Sequence, residues 1–237
     1  MKLVNAIAIV VIAACAVVAV KVLLSPDPAP PRVAHADEIR KLATEIVAYR
    51  PASHPSPIDP FATARVGDWR ASRIVNDNTL TRDNKIGPIT AHAIHAVTAA
   101  GDATVTIATR GIVDSPPGLE DPAGPSAPDE LPRHGATFEQ LILSDWAITT
   151  FAVADDTRTI GGRAFHCKKV TYRQIDPMLP RKQVDVELWL SPEVAVDGFV
   201  ARHEVQVLDT LTFTMDEQLV GFGSGSATAW GERPAAL

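Results

Sequence analysis

Leu3 to Val20 is a run of 18 residues without a charge, and the rest of the chain is best read once it is set apart. As a helix this run spans about 27 Å at 1.5 Å per residue, close to the hydrocarbon thickness of a bilayer. Val22–Leu24 extend it past Lys21, whose ammonium can reach the interface. Residues 1–24 hold 21 hydrophobic residues, broken only by Lys2, Asn5 and Lys21. The whole 237-residue chain is 46% hydrophobic; without this segment the figure falls to about 41%, ordinary for a soluble domain. That split excludes a polytopic membrane protein, a disordered chain and a disulfide scaffold.

Three readings compete for the amino-terminal segment. A cleaved signal peptide needs a small-x-small site close behind the apolar core, and Ala34-His35-Ala36 lies some ten residues too far along. Ile12-Ala13-Ala14-Cys15 resembles a lipobox, with Cys15 the residue that would carry lipid, but Ala16–Leu24 continue apolar where a mature lipoprotein turns polar. An uncleaved signal anchor over residues 1–24 accounts for the whole stretch. Lys2 and the amino terminus then stay in the cytoplasm, and the remainder lies periplasmic or extracellular, tethered to a bacterial inner membrane through residues 3–24. Residues 25–36 carry four prolines and read as an extended linker; residues 223–237 read as a flexible tail.

The net charge is −6, and beyond Lys21 there are 20 Lys and Arg against 28 Asp and Glu. An acidic exterior of this kind excludes a phosphate-backbone binder, so no nucleic-acid partner is expected. Of the two cysteines, Cys15 sits in the apolar segment and cannot pair with Cys167 inside one domain.

Residues 37–222 are expected to form one extracytoplasmic domain. Ile39, Leu42, Ala43, Ile46 and Val47 recur at helical spacing behind Asp37, and Pro51 ends that helix at about residue 49. From Val66 the texture changes to alternation. Strands are expected over 66–75, 89–97, 104–112, 147–153, 165–173, 184–190, 199–208 and 211–222, with turns at Gly101-Asp102 and Gly161-Gly162. Thr137-Phe138-Glu139-Gln140 has the form of a capping box opening a second helix over 138–145. Residues 114–135 hold six prolines and three glycines and read as a long loop. Short turns between successive strands imply a mostly β, α+β fold: a curved antiparallel sheet with one or two packed helices.

Three signals stand out in order: Gly67-Asp68-Trp69, then Gly161-Gly162 with His166-Cys167, then Trp189-Leu190-Ser191-Pro192-Glu193-Val194 followed by Gly198. They resemble a group of uncharacterised bacterial cell-envelope domains whose second half reads strand, W-x-S-x-x-V-P-x-G-G, strand. This chain departs from that pattern at Ala195 and Asp197. The wider layout over residues 37–222 is similar to the half-barrels of LolA-like lipoprotein carriers. That resemblance implies helices closing a concave sheet face over an acyl-chain pocket, and it implies a fold more than an activity.

The candidate chemistry is sparse. His92 and His95 form H-x-x-H, but residues three apart on a strand face opposite ways and cannot share a metal. The same argument separates His166 from Cys167, and His203 from Glu204. Cys167 fits a small core residue, Ser191 a turn residue, and Asp114, Asp155 and Asp156 turn carboxylates. His134 lies beside the proline-rich loop. Gly221-Phe222-Gly223-Ser224-Gly225 lacks the lysine of a phosphate loop. Trp69, Trp146 and Trp189 fit core anchors. No catalytic residue, metal ligand or cofactor is therefore assigned. The sequence points to a membrane-tethered, non-enzymatic binding protein for an apolar ligand, such as a lipid, or for another envelope protein. A structural or assembly module is the second reading, and a metal-dependent hydrolase using His92, His95 and a distant histidine the third. An exposed apolar concavity would favour the ligand binder and a filled core the assembly module.

Overall fold

The computed structural model describes residues 53–79, 88–115, 128–144, 146–176, 179–208 and 211–225. The expected anchor over residues 1–24, the site at Cys15, the linker and the helix over 37–49 lie outside the described residues. What is described is nearly all strand: β1 (Trp69–Thr79), β2 (Ile89–Ala100), β3 (Thr104–Ser115), β4 (Asp129–Pro132), β5 (Ala147–Ile160), β6 (Arg163–Asp176), β7 (Leu179–Leu190), β8 (Phe199–Leu208) and β9 (Leu211–Gly223). They form one antiparallel sheet in the order β4-β3-β2-β1-β9-β8-β7-β6-β5. Two meanders, β1–β4 and β5–β9, are joined where the first strand pairs with the last.

Every expected strand is present, most of them longer than the alternation indicated. The β5–β6 connection is a two-residue hairpin in which Gly161 and Gly162 both take positive φ, 56° and 82°. Such a turn matches the twist of the strands it joins, and glycine adopts it without strain. Two readings need correction. Asp155 and Asp156 lie in mid-strand on β5, and Asp114 on β3, because the strands outrun their apolar stretches and pair through polar residues. Residues 129–132, inside the expected proline-rich loop, form β4 along the outer side of β3.

The connection from β4 to β5 dictates the shape. These strands are opposite edges of a nine-stranded sheet, whose flat width would be about 38 Å at 4.8 Å per strand gap. Only residues 133–146 join them. The segment crosses the curved sheet and carries α1 (Phe138–Leu141), opened by the expected capping box: Thr137 Oγ1 accepts from the Gln140 N–H, and the Gln140 side chain accepts from the Thr137 N–H. The helix is one turn, shorter than the expected 138–145, because Leu143 turns to φ 53°.

The crossing segment and residues 58–64 fill the space that the sheet encloses. Phe61 and Phe138, both fully buried, Ala64, Ala136 and Leu141 pack with Val97, Val105, Ile107 and Leu131 from one half of the sheet. From the other half come Ile148, Val170, Tyr172 and the β7 row Val184, Val186, Leu188 and Leu190. Phe138 meets Phe151 and Tyr172 edge-on, with ring centroids 5.0 and 5.1 Å away. A second cluster gathers Ile160, Phe165, Cys167, Trp189, Val194, Val200, Ala201 and Leu219. There the sheet coils far enough that Phe165 on β6 meets Phe222 on β9, centroids 6.2 Å apart.

The motifs singled out in the sequence close the structure locally. Gly67, at φ 91°, donates to Val97 O and accepts from Gly225, while Asp68 accepts from the Arg65 N–H and from Ser224 Oγ. Trp69 lies across Gly221 and Gly223 of β9, where an added Cβ would come within 3.3 Å of its ring. The β7–β8 loop, residues 191–198, is drawn tight by Ser191 N–H to Gly198 O at 2.7 Å. Gly198 has φ 74°, and an added Cβ would stand 3.0 Å from Ser191 O and 2.3 Å from Ile58 Cδ1. Gly198→Ala therefore combines a left-handed backbone with a backbone clash. It is expected to lower the unfolding free energy by roughly 2–4 kcal/mol in urea denaturation. A change under about 0.5 kcal/mol would show that the loop relaxes freely.

Candidate functional site

The strongest concentration of polar chemistry lies inside the sheet. Arg70 on β1 is 4% exposed and pairs in register with His95 on β2, which pairs in register with Thr109 on β3. The Arg70 guanidinium forks onto the Asp197 carboxylate, with Nε 2.8 Å from Oδ1 and Nη2 2.6 Å from Oδ2. Its Nη1 reaches Ser72 Oγ at 3.2 Å and Glu217 Oε1 at 3.5 Å, and Ser72 Oγ donates to Glu217 Oε1 at 2.5 Å. The guanidinium also lies 4.3 Å above the Phe199 ring.

These groups fix one another's charge. Burial pushes Asp197 upward, but Arg70, His95 and the hydrogen bonds outweigh it, and the carboxyl sits below its ordinary range. Burial disfavours the Arg70 cation, and Asp197 with Glu217 more than restore it. His95 has no carboxylate in contact. Burial, with the Arg70 charge beside it, pushes the ring down to about 3, so it is neutral at physiological pH and bonded through Nδ1 to Thr109 Oγ1 at 3.1 Å.

Four other histidines, His54, His92, His134 and His203, each lie beside a carboxylate. His92, on the opposite face of β2, has Nδ1 2.7 Å from Asp114 Oδ2. His92 and His95 are thus directed apart, as strand alternation requires. His203 stands in register between Glu187 on β7 and Asp216 on β9, and its Nδ1 is 2.7 Å from Asp216 Oδ1, while its neighbour Glu204 pairs with Arg202. His134 is 3.6 Å from Asp59. His54 stacks on Phe151 and takes Glu139 through both its ring and its backbone N–H. Burial raises the Glu139 carboxyl, but the His54 bonds hold it below its ordinary range.

Cys167 is buried, its thiol donating to Phe165 O at 3.4 Å, and burial pushes its pKa up, the reverse of what a nucleophile needs. His166 is exposed on the other face. Ser191 is fully buried in the loop, its Oγ accepting from the Glu193 N–H. Asp156 is held low chiefly by the bond from Trp189 Nε1 at 2.7 Å, and then by the Thr157 N–H. Trp189 belongs to the second apolar cluster, while Trp146 is half-buried and packs against the first.

Two open grooves lie along β5. One, of about 460 Å³, is lined by Thr150, Phe151 and Ala152 with Asp185, Glu187 and His203. The other, of about 810 Å³, holds Asp155, Asp156 and Lys168 against Pro57, Ile58 and Pro192. Neither groove is an enclosed apolar chamber.

Arg70, Ser72, Glu217 and Asp197 were not among the candidates from sequence. Arg70 adjoins the Gly-Asp-Trp motif, and Asp197 is one of the two positions at which the chain departs from the envelope-domain pattern. That departure at Asp197 was the one available signal. A comparison with protein-family models and with curated proteins finds no match to this chain.

The neutral, buried His95 gives a signed prediction. Its folded pKa lies below the unfolded value, so acidification protonates the unfolded chain first and stability falls from about pH 6.5 toward 3. Asp197, also lowered, adds a loss at the acid end of that window. His95→Gln keeps a partner for Thr109 and removes the titration. Urea unfolding of this variant between pH 7 and 4 is expected to show a slope shallower than wild type by up to about 1.4 kcal/mol per pH unit. Identical slopes would mean that the ring titrates alike in both states.

Proposed function

We propose that the protein is a non-enzymatic interaction module of the cell envelope, tethered through residues 3–24 with its β domain periplasmic or extracellular, and that it engages another envelope protein. One observation carries this reading: the space enclosed by the sheet is filled by Phe61, Phe138 and Leu141, while a 14-residue strand at the margin pairs with a strand on one side only among the described residues. The buried charges support it, because Arg70, Asp197, Ser72 and Glu217 satisfy one another and leave the cluster with an architectural role. His92 and His95 go to different partners on different faces, which gives hydrolytic chemistry no shared ligand set.

The second reading is a carrier of an apolar ligand, and the curvature of the sheet favours it. In the carriers whose layout this chain resembles, the concave face holds the acyl chain; here the crossing segment occupies that place.

Crosslinking in native membranes, followed by mass spectrometry of the purified full chain, separates the two. A discrete adduct with an envelope protein and no co-purifying lipid is expected. Stoichiometric lipid without a protein adduct would replace this reading with the carrier.

A further inference from the structure

Ile89 on β2 and Phe151 on β5 end one cross-strand row that passes in register through Asn76, Met215, Glu204, Val186 and Tyr172. The row lies on the face that packs in the first apolar cluster, since strand alternation sets Ile89, Ala91 and Ala93 on the same side of β2 as Val97. At the Phe151 end this face is covered by the crossing segment, where Phe138 meets both Phe151 and Tyr172. The Ile89 end differs. Ile74, Ile89, Ala93 and Val113 are at most 7% exposed, yet none of them belongs to either apolar cluster of the described residues. Met215 and Phe213 beside them are half-buried. Apolar side chains this deeply buried need apolar neighbours.

One stretch of this chain outside the described residues has the matching character. Leu80 and Ile86 are the only large aliphatic residues of 80–87, and Leu119 that of 116–127. Residues 37–49 carry Ile39, Leu42, Ile46 and Val47 at helical spacing, with Glu38, Arg40, Lys41 and Glu45 on the other side. A lone helix of this length is marginal in water, so its apolar stripe needs a surface.

The reach of the chain agrees. His54 is fixed at the Phe151 end, its ring 4.5 Å from that of Phe151 and its carbonyl accepting the Phe138 N–H. From there to Ile89 the row crosses six strand gaps, about 29 Å along the sheet at 4.8 Å each. Residues 50–53 extend to about 13 Å and a helix over 37–49 spans about 20 Å, which together match that distance.

We propose that residues 37–49 form a helix that crosses the strands on the concave face, from the His54 side toward Ile89, and packs Ile39, Leu42, Ile46 and Val47 against Met215, Ile74 and Ile89. The membrane-proximal segment is then part of the domain and not of the tether. It takes the last apolar stretch of the concave face from any acyl chain. The linker over 25–36 leaves from the β1–β2 side, which turns that end of the sheet toward the bilayer. Docking of this segment is independent of whether the domain engages another envelope protein.

The test uses the full chain in detergent micelles with Cys15→Ser, the buried Cys167 left in place. Ala43→Cys with Met215→Cys sets one thiol on the apolar side of the segment and one on the row; Glu45→Cys with Met215→Cys sets the first thiol on the opposite side. A short bismaleimide is expected to join 43 to 215 within one chain at least about tenfold faster than 45 to 215, read by peptide mass spectrometry. Ile46→Asp should lower the thermal unfolding midpoint by about 5 °C or more, and Glu45→Ser should leave it unchanged. Equal crosslinking rates, or none at 43, would overturn the proposal and leave the segment on the bilayer surface or free. A 43–215 crosslink that joins two chains would overturn it in favour of a second copy. An unchanged midpoint for Ile46→Asp would also overturn it; if that variant does not fold, the crosslinking rates decide alone.

Discussion

The bidentate contact between Arg70 and Asp197 is the interaction on which the remaining arrangement depends. It ties β1, at the junction of the two meanders, to the β7–β8 loop. That loop contains Val196 at φ 78°, a β-branched residue in the left-handed region, buried to 1% exposure. Such a conformation costs of order 1–3 kcal/mol and persists only when its surroundings over-determine it. Here the surroundings are Asp197 on one side, anchored by the guanidinium, and Gly198 on the other, pressed against Ser191 and Ile58. A buried ion pair is weak evidence for net stability, but losing one partner strands the other. Its role in this fold is to specify one position for the loop.

A second constraint is topological. Placing β4 and β5 at opposite margins obliges the intervening chain to cross the sheet, and the crossing supplies the core that a curved single sheet otherwise lacks. The plug is secured at several points. His54 accepts the Phe138 N–H at its carbonyl and binds Glu139, Arg133 donates to Gly101 O, Ala62 O and Ala64 O, and Pro55 bridges Thr137. The sheet's curvature and its filled interior are thus one event, and the interaction chemistry moves to the margins.

The strands were legible because valine, isoleucine and threonine alternate between glycine-bearing turns, as in Thr104–Val113 and at Gly161-Gly162. The capping box at Thr137 was legible for the same reason: its signal is local. Strand ends were not, since β5 continues through Asp155 to Thr159 on the strength of β6 rather than of its own apolar residues. The interior cluster was hidden more deeply. Arg70 and Asp197 are 127 residues apart, and only the folded register shows that a strand arginine and a loop aspartate meet. Ser72 and Glu217 read as ordinary strand polar residues until β9 is laid beside β1. The edge character of β5 likewise belongs to strand order.

A double-mutant cycle on Arg70→Met and Asp197→Leu, read by urea unfolding at pH 7, tests the central claim most directly. Each single change leaves a buried charge without its main partner and should cost about 3–5 kcal/mol. The double change removes both charges while Glu217 keeps Ser72, so the pair should couple by at least about 2 kcal/mol and the double variant should be less damaged than the sum of the singles. Additive losses, with a coupling near zero, would show that the contact does not hold the loop to the sheet.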